Sequence, residues 1–237
     1  MIGKIFHNRV SKDERHTQLV SWDDPTSPEA EAFRSLRTNL QFAAAARPYR
    51  SLLVTSTVPG EGKSLVTANL GVVFAQAGKK VLLVDADLRR PTLHRYLRTS
   101  NRVGLTNVLV GTYSLSPAIQ ELRIPGLSFL PSGPVPPNPG ELLGSQAMQQ
   151  LLGQLADRFD LVLVDTPPVL LMSDARLLAP SVDGALLVVR WKFAHRELVK
   201  KAVQLLRLTN THIYGVIFNY VVNYEMNSYY GGYGYLK

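Results

Sequence analysis

Six consecutive residues, Pro59-Gly60-Glu61-Gly62-Lys63-Ser64, combine two glycines with a lysine and a hydroxyl group. They follow the apolar stretch 52–56 and precede an amphipathic stretch, which is the order of a strand, a turn and a helix start. Glycines let successive backbone N–H groups converge on phosphate oxygens, and the positive end of the helix dipole adds to that attraction. The segment therefore predicts a P-loop that binds ATP, with Lys63 on the β- and γ-phosphates and Ser64 on Mg²⁺.

The predicted nucleotide contacts are the loop and the first helical residues, namely Pro59, Gly60, Glu61, Gly62, Lys63, Ser64 and Leu65. One position departs from the usual pattern, because the first glycine of a P-loop, six residues before the lysine, is Thr57 in this chain. A chance glycine-rich turn is the alternative interpretation. The strand and helix patterns on either side favour the P-loop.

Two further apolar stretches end in carboxylates, 81–84 at Asp85 and Asp87, and 161–164 at Asp165. Parallel strands present their carboxyl ends at one edge of a sheet, where ligands of such sheets bind. We expect Ser64, Asp85 and Asp165 to hold Mg²⁺, the two carboxylates through bound water, because Mg²⁺ keeps several waters. Each aspartate alone could be a capping residue, but the pair beside a P-loop favours the metal site.

Short apolar stretches alternate with longer amphipathic ones from residue 51 onwards. Strands are predicted at 52–56, 81–84, 127–130, 161–165, 185–190 and 213–218. Helices are predicted at 28–46, 63–77, 145–157 and 195–208, with shorter ones after Thr92 and Val103. Valine- and leucine-rich strands separated by helices predict an α/β fold with a doubly wound, mostly parallel sheet, as in P-loop NTPases.

The 237 residues suit one such domain with short appendages. Residues 1–27 are predicted to be a flexible leader, 28–222 the ATPase domain and 223–237 a flexible tail. Ser27 is the predicted N-cap of the first long helix and Pro28 its first residue. The proline- and glycine-rich segment 131–140 predicts an ordered surface loop.

A formal charge of +8 favours acidic partners without choosing among them. The cations are scattered and no nucleic-acid recognition motif is present, so no nucleic-acid partner is expected. The chain has no cysteine, and its apolar stretches are far shorter than the roughly 20 residues that span a bilayer. We therefore expect a cytoplasmic protein whose contact with a membrane is peripheral or made through a partner.

Tyrosine is concentrated at the C-terminus, where six of the ten tyrosines lie in the final 18 residues, Tyr220, Tyr224, Tyr229, Tyr230, Tyr233 and Tyr235. The last four are interleaved with Gly231, Gly232 and Gly234. A flexible tail of this kind can present a phenol to an active site, although a low-complexity adhesive segment is the alternative. Beside an ATP site, the tail predicts tyrosine phosphorylation.

Five features together resemble the bacterial tyrosine kinases of capsule and exopolysaccharide synthesis over roughly residues 28–237. They are Glu31-x-x-Arg34-x-x-Arg37, the P-loop, Val84-Asp85-Ala86-Asp87-Leu88-Arg89-Arg90-Pro91, Val164-Asp165-Thr166-Pro167-Pro168 and the tyrosine-rich end. The aspartate-bearing strand followed by Leu-Arg-Arg-Pro is the most discriminating, because most P-loop proteins lack it.

The resemblance implies a ring-forming autokinase in which the tail of one subunit enters the active site of its neighbour. Its acceptors would be Tyr224, Tyr229, Tyr230, Tyr233 and Tyr235, and its ring contact Glu31, Arg34 and Arg37, a pattern that by itself suggests only a solvated face. The catalytic residues would be Lys63, Asp85 and Asp87, either aspartate being the base. Asn219 resembles the asparagine that contacts adenine in related ATPases, although it could equally be an ordinary strand-end residue.

Three partners follow from the same resemblance: other copies of the chain, a membrane-bound activator of the polysaccharide co-polymerase type, and a tyrosine phosphatase. The activator would recruit the protein to the inner face of the cell membrane. The alternative is an ATP-driven switch like the partition and division-site ATPases, which share this core. Those carry a second lysine where this chain has Val58, and they lack the tyrosine tail.

Overall fold

A computed structural model describes the backbone of residues 2–6 and the whole of residues 19–221. The strands are β1 (Ile2–Phe6), β2 (Ser51–Ser56), β3 (Val81–Asp85), β4 (Gln120–Glu121), β5 (Leu127–Leu130), β6 (Leu161–Asp165), β7 (Gly184–Arg190) and β8 (Ile213–Val221). The helices are α1 (Val20–Asp23), α2 (Pro28–Ala46), α3 (Lys63–Gln76), α4 (Leu93–Tyr96), α5 (Leu105–Leu109), α6 (Leu115–Ala118), α7 (Pro139–Leu143), α8 (Gln146–Arg158), α9 (Asp174–Leu178) and α10 (Arg196–Arg207).

One twisted sheet joins the eight strands in the order β1-β8-β7-β2-β6-β3-β5-β4. Every neighbouring pair is parallel except β4 with β5. Strand β2 lies between β6 and β7, so the loop that follows it opens at the middle of the sheet. The predicted doubly wound, mostly parallel α/β fold is confirmed.

Alternate residues of the central strands enter two separate hydrophobic cores, as the period of two in a strand requires. In β3, Leu83 faces the core formed with α2 and α3, whereas Leu82 faces the core formed with α8 and α10. The strands are therefore buried on both faces, which explains their continuous apolar sequences.

Helix α2 begins where its sequence predicts. The Ser27 hydroxyl accepts a hydrogen bond from the Ala30 N–H at 3.2 Å, and Pro28 is the first helical residue. Phe33, Leu36 and Leu40 form its buried face against the sheet. This contact joins the helix to the domain from its first turn onwards.

Several elements were not predicted. Residues 2–6, within the predicted leader, form β1, which pairs in parallel with β8, and α1 precedes α2. The leader lacks an apolar period, and an edge strand can be fixed by backbone hydrogen bonds alone. Segment 131–140 also differs, because α7 starts inside it at Pro139, where a proline favours a helix start.

Among the described residues, no helix combines the length and the apolar character needed to cross a bilayer. The five tail tyrosines predicted as acceptors lie outside the described residues.

The docking of α2 can be tested with two phenylalanines of that helix. Phe33 is fully buried, whereas Phe42 is 72% exposed. We expect Phe33→Ala to lower the free energy of unfolding by about 3–5 kcal/mol, because it removes a buried ring and leaves a cavity. Phe42→Ala is the control and should change it by less than about 0.5 kcal/mol. Equal effects in urea unfolding would show that α2 is not part of the core.

Candidate active site

The loop between β2 and α3 has the backbone of a phosphate-binding loop. Gly60 and Gly62 both have φ of +82°, a region that favours glycine. A Cβ on Gly62 would lie 2.2 Å from the Asn219 Nδ2, so this glycine is required by close approach as well. The first N–H groups of α3 have no partner within the helix and are available for an anion.

The carboxylate of Glu61 holds this loop from inside the protein. Its Oε2 accepts from the Thr57 N–H and hydroxyl, both at 2.6 Å, and from the Val58 N–H at 2.9 Å. Its Oε1 accepts from the Arg190 N–H at 3.2 Å. This contact explains why position 57 is a threonine and not the usual glycine, because the Thr57 hydroxyl donates a hydrogen bond to the Glu61 carboxylate.

The Glu61 carboxylate is therefore occupied by hydrogen bonds within the protein. Only the backbone of Glu61 remains available for the predicted contact with nucleotide. Leu65 is likewise buried on α3 and has its backbone N–H in the first helical turn. The contacts of both residues with nucleotide stay predictions.

The predicted aspartates converge beside Lys63, as expected from parallel strands. Asp85 and Asp165 are partners in the register of β3 and β6, so the two carboxylates end adjacent strands side by side. The Lys63 Nζ lies 2.9 Å from an Asp87 oxygen and 3.4 Å from an Asp165 oxygen. The Ser64 hydroxyl donates to the same Asp165 oxygen at 2.5 Å.

Asp85 and Asp87 differ in what they face. Asp85 is fully buried, and its oxygens accept from the N–H groups of Asp87 and Leu93, both at 3.2 Å. Asp87 lines an open cavity together with Lys63. Of the two predicted bases, Asp87 is thus the one that a substrate in the cavity could reach.

Burial and crowding determine the protonation of this cluster. Burial raises the pKa of Asp85 well above its usual range, and the nearby Asp165 carboxylate raises it further. Burial also raises the pKa of Asp165, with partial opposition from Lys63 and Ser64. Burial alone would lower the pKa of Lys63, but Asp165 and Asp87 more than offset that effect and raise it. Lys63 therefore remains an ammonium group.

The donor set fits a magnesium site. Ser64 and Asp165 place hard oxygen ligands within hydrogen-bond distance of each other beneath the phosphate loop, and the excess of buried negative charge beside them attracts a cation. Mg²⁺ needs few protein ligands, and in the described part of the chain no three His, Asp or Glu side chains form a metal cage. The roles of Ser64, Asp85 and Asp165 as metal ligands stay predictions.

A cavity of about 550 Å³ opens above this cluster, a volume that suits a small-molecule ligand. Its floor is the P-loop, and its walls include residues to which the sequence analysis gave no role in the site, Arg89, Arg90, Thr92, Tyr96, Leu171, Met172, Arg190 and Tyr220. Thr92 donates to the Ser64 hydroxyl at 3.0 Å. In the sequence, only its position seven residues after Asp85 indicates that it lies near the site. Arg89 makes two hydrogen bonds to the buried Asp174, at 2.7 and 3.0 Å.

Asn219 lies at the end of β8, close to the loop. Its Nδ2 donates to the Glu61 carbonyl at 2.9 Å, and its Oδ1 accepts from the Tyr220 N–H at 2.9 Å. The side chain is fully buried and braces the P-loop in this arrangement. Its predicted contact with adenine stays a prediction and would require the amide to exchange these partners.

The predicted ring-contact residues have contacts within the chain. Arg34 pairs with Glu31 at 2.7 Å on the exposed side of α2. Arg37 instead donates to the carbonyl of Val73 at 2.9 Å, in the last turn of α3, where carbonyls lack helical partners. An open depression of about 370 Å³ lies over all three side chains. Arg37 thus joins α2 to α3, whereas the contacts of Glu31 and Arg34 stay within α2 and the turn before it.

Replacing Glu61 tests whether its carboxylate shapes the phosphate site. Glu61→Gln keeps the size of the side chain but puts an NH₂ group against a backbone N–H, which leaves a buried donor unsatisfied at about 1–3 kcal/mol. We expect ATP to bind about tenfold more weakly, measured by calorimetric titration. The exposed Glu121→Gln is the control. A lower melting temperature with unchanged ATP affinity would contradict the role in the loop.

Comparison with known proteins agrees with this geometry. The family described as NUBPL iron-transfer P-loop NTPase (ParA) matches residues 49–229. The septum site-determining protein MinD of Pyrococcus horikoshii, solved with Mg-ADP, has a TM-score of 0.62 at 28% identity, over 72% of this chain and 70% of that one. The P-loop NTPase fold is thus established, and with it nucleotide binding of the general P-loop kind.

Proteins with higher sequence identity to this chain identify the family within the P-loop NTPases. The tyrosine-protein kinase YwqD of Bacillus subtilis (strain 168) is 42% identical over 96% of this chain and 94% of its own length. The kinase domain of the Escherichia coli tyrosine kinase ETK has a TM-score of 0.87 at 36% identity, covering 94% of this chain and 90% of that chain. The chimerical protein CapA2B2 has a TM-score of 0.86 at 35% identity, covering 93% and 94%. The chain therefore belongs to the bacterial tyrosine-protein kinases, within the P-loop NTPases.

Proposed function

We propose that the protein is an ATP-dependent autokinase that phosphorylates tyrosines of its own C-terminal tail in trans and thereby regulates polysaccharide synthesis or export. The observation that carries the proposal is the group of Lys63, Ser64 and Asp87 on the floor of the cavity, with Asp165 buried directly behind them and in contact with Lys63 and Ser64. It combines a phosphate-binding cation, hard ligands for Mg²⁺ and a carboxylate that faces the open space.

In this proposal the triphosphate of ATP lies along the P-loop, and Lys63 moves from Asp87 towards the β- and γ-phosphates. The phenol oxygen of the acceptor forms a bond to the γ-phosphorus while the bond to the β-phosphate oxygen breaks, and ADP leaves. Asp87 accepts the phenol proton. Mg²⁺, when bound, neutralises the charge that develops on the phosphate oxygens.

Asp85 is better suited to support than to proton transfer. Its oxygens are used by two backbone N–H groups, which hold the turn carrying Asp87 against the end of β3. We therefore assign the base to Asp87 and a supporting role to Asp85.

The end of β8 supports the choice of acceptor. Tyr220 lines the cavity, and the predicted acceptors Tyr224, Tyr229, Tyr230, Tyr233 and Tyr235 follow it in the chain. The described part of the chain thus ends beside the cavity, which supports an acceptor among the residues that follow.

The ring contact is best assigned to the exposed Glu31 and the half-buried Arg34, whose contacts stay within α2 and the turn before it. Arg37 also caps α3, so its replacement would disturb the fold as well as an interface. We further propose a membrane-bound activator of the polysaccharide co-polymerase type and a tyrosine phosphatase as partners.

A switch that hydrolyses ATP without phosphorylating protein remains the second candidate, supported by the likeness to MinD. The two candidates differ in one product, because only the kinase makes phosphotyrosine. The presence of Val58 in place of a second lysine favours the kinase.

Transfer between subunits can be tested with two variants that are each inactive alone. The donor has the five tail tyrosines, Tyr224, Tyr229, Tyr230, Tyr233 and Tyr235, changed to Phe, and the acceptor is Asp87→Asn, which retains the shape of the side chain. We expect phosphotyrosine with labelled MgATP only when the two are mixed, because the donor supplies the site and the acceptor the tail. Absence of label in the mixture would contradict transfer in trans.

Lys63→Met provides a second inactive acceptor. Because it leaves Asp87 and Asp165 without their cation, we expect it to be less stable than Asp87→Asn. Its fold must therefore be confirmed by circular dichroism before use. If neither acceptor nor wild-type protein yields phosphotyrosine while ATP is hydrolysed, the switch is the better description.

Phosphorylation should also control assembly. Each phosphate adds about −1.5 to −2 charges, so a phosphorylated tail is repelled from a site that already holds three aspartates and ATP. We expect wild-type protein to lose mass by light scattering after MgATP is added, and the five-Tyr→Phe variant to stay assembled.

Arg34→Ala is the matched control for this measurement. It should be monomeric before and after MgATP. Its loss of stability should stay small, because a surface ion pair contributes about 0–1 kcal/mol and the hydrogen bond to the Pro25 carbonyl about 0.5–1.5 kcal/mol. If wild type and the five-Tyr→Phe variant disperse equally, the tail does not control assembly. An unchanged oligomer of Arg34→Ala would remove this residue from the interface.

A further inference from the structure

A basic and aromatic surface lies on the strand β7 side of the molecule, away from the ring-contact residues. It comprises the loop after β7 and the outer side of α10, with Trp191, Lys192, Phe193, Arg196, Lys200, Lys201 and Arg207 exposed. We call it the α10 surface. These cations are scattered in the sequence, but the helix brings three of them to one side. Lys200 and Arg207 follow Arg196 by four and eleven residues, close to one and three helical turns.

The charge of the α10 surface is almost entirely of one sign. Five cations are accompanied by a single carboxylate, Glu197, which pairs with Lys200 at 3.0 Å. Over residues 19–221, the other four cations form no ion pair. The inner side of α10 is buried against β7 and β8 through Ala202 and Leu206, so the cations are held on a fixed helix.

Two aromatic rings extend this surface at the start of the helix. Trp191 is 40% exposed and Phe193 51% exposed. Each is held on one side, Trp191 edge-on against Phe218 at 5.5 Å and Phe193 under the Arg190 guanidinium at 5.0 Å. Tryptophan and phenylalanine exposed next to lysine and arginine are typical of surfaces that enter the headgroup region of a bilayer.

We propose that the α10 surface binds anionic phospholipid headgroups directly. Its cations contact the lipid phosphates, and the rings of Trp191 and Phe193 enter the boundary between headgroups and acyl chains. A basic surface with so few carboxylates is complementary to an anionic membrane, each cation adding about 1 kcal/mol of attraction. The aromatic rings add the apolar burial that charge alone does not supply.

The position of the α10 surface links membrane contact to the cavity. Arg190, which precedes the aromatic loop, lines the cavity, and the Trp191 N–H donates to the Asn219 carbonyl at 2.9 Å. Lipid binding at Trp191 would therefore bring the cavity rim and the end of β8 close to the membrane. This inference does not depend on phosphoryl transfer, so vesicle binding and tail phosphorylation can fail separately.

Trp191 itself reports on the proposed contact, because the chain has two tryptophans and Trp22→Phe leaves Trp191 alone. In the full-length Trp22→Phe protein, we expect the emission to shift to shorter wavelength with vesicles of phosphatidylcholine and phosphatidylglycerol. Vesicles of phosphatidylcholine alone should cause no shift. An unchanged spectrum with anionic vesicles would overturn the proposal.

Charge removal tests the helix in the same assay. Lys200→Gln, Lys201→Gln and Arg207→Gln together should weaken partition onto anionic vesicles by about a hundredfold, measured by sedimentation. The control, Arg102→Gln with Arg123→Gln and Arg158→Gln, removes equal charge from exposed positions outside the α10 surface and should retain binding. Equal losses in both variants would overturn the assignment.

Soluble polyanions distinguish lipid from other acidic partners. Poly-glutamate and a DNA oligonucleotide should neither shift the Trp191 emission nor displace the protein from anionic vesicles at matched charge. If either polyanion shifts the Trp191 emission as strongly as anionic vesicles do, or displaces the protein from them, the α10 surface recognises an acidic macromolecule and the lipid proposal fails.

Discussion

Three aspartates around one ammonium group, at the carboxyl edge of the central strands, are the constraint on which the rest of the site depends. Asp85 and Asp165 end adjacent parallel strands in register, so the sheet itself forces their carboxylates together. Lys63 can compensate only part of that charge, and burial keeps water from screening the remainder. Such a cluster is poorly satisfied by protein groups alone, which supports the predicted binding of a divalent cation together with the phosphates of a nucleotide.

The P-loop remains in place beside this cluster because another buried carboxylate, that of Glu61, holds it. Glu61 accepts four hydrogen bonds, three from the start of the loop and one from the end of β7. Asn219 adds a bond from β8 to the Glu61 carbonyl. The phosphate site is thus fixed to the two strands that lead to Arg190 and Tyr220, so donors for the phosphates are oriented before a nucleotide arrives.

Much of this arrangement could be predicted from the sequence. The central strands and long helices follow from apolar periodicity, and the meeting of Asp85 with Asp165 follows from the parallel topology. Side-chain direction could not be predicted in the same way. Nothing in the spacing of the P-loop indicates that the Glu61 carboxylate turns inward, or that Arg37 caps α3 while Arg34 stays on the surface. Strand β1 was missed because backbone pairing, and not an apolar pattern, defines it.

Parallel topology also explains why several functions converge on one edge. The carboxyl ends of β2, β3 and β6 supply the phosphate loop and the aspartates, while those of β7 and β8 supply Arg190 and Tyr220. The aromatic loop of the α10 surface begins at this same edge, one residue beyond Arg190. A phosphorylated tail would therefore place new negative charge next to both the aspartates and an anionic membrane. Repulsion from the two together would move the tail further from the site than either could alone, within the range of about 10 Å over which salt leaves such forces effective.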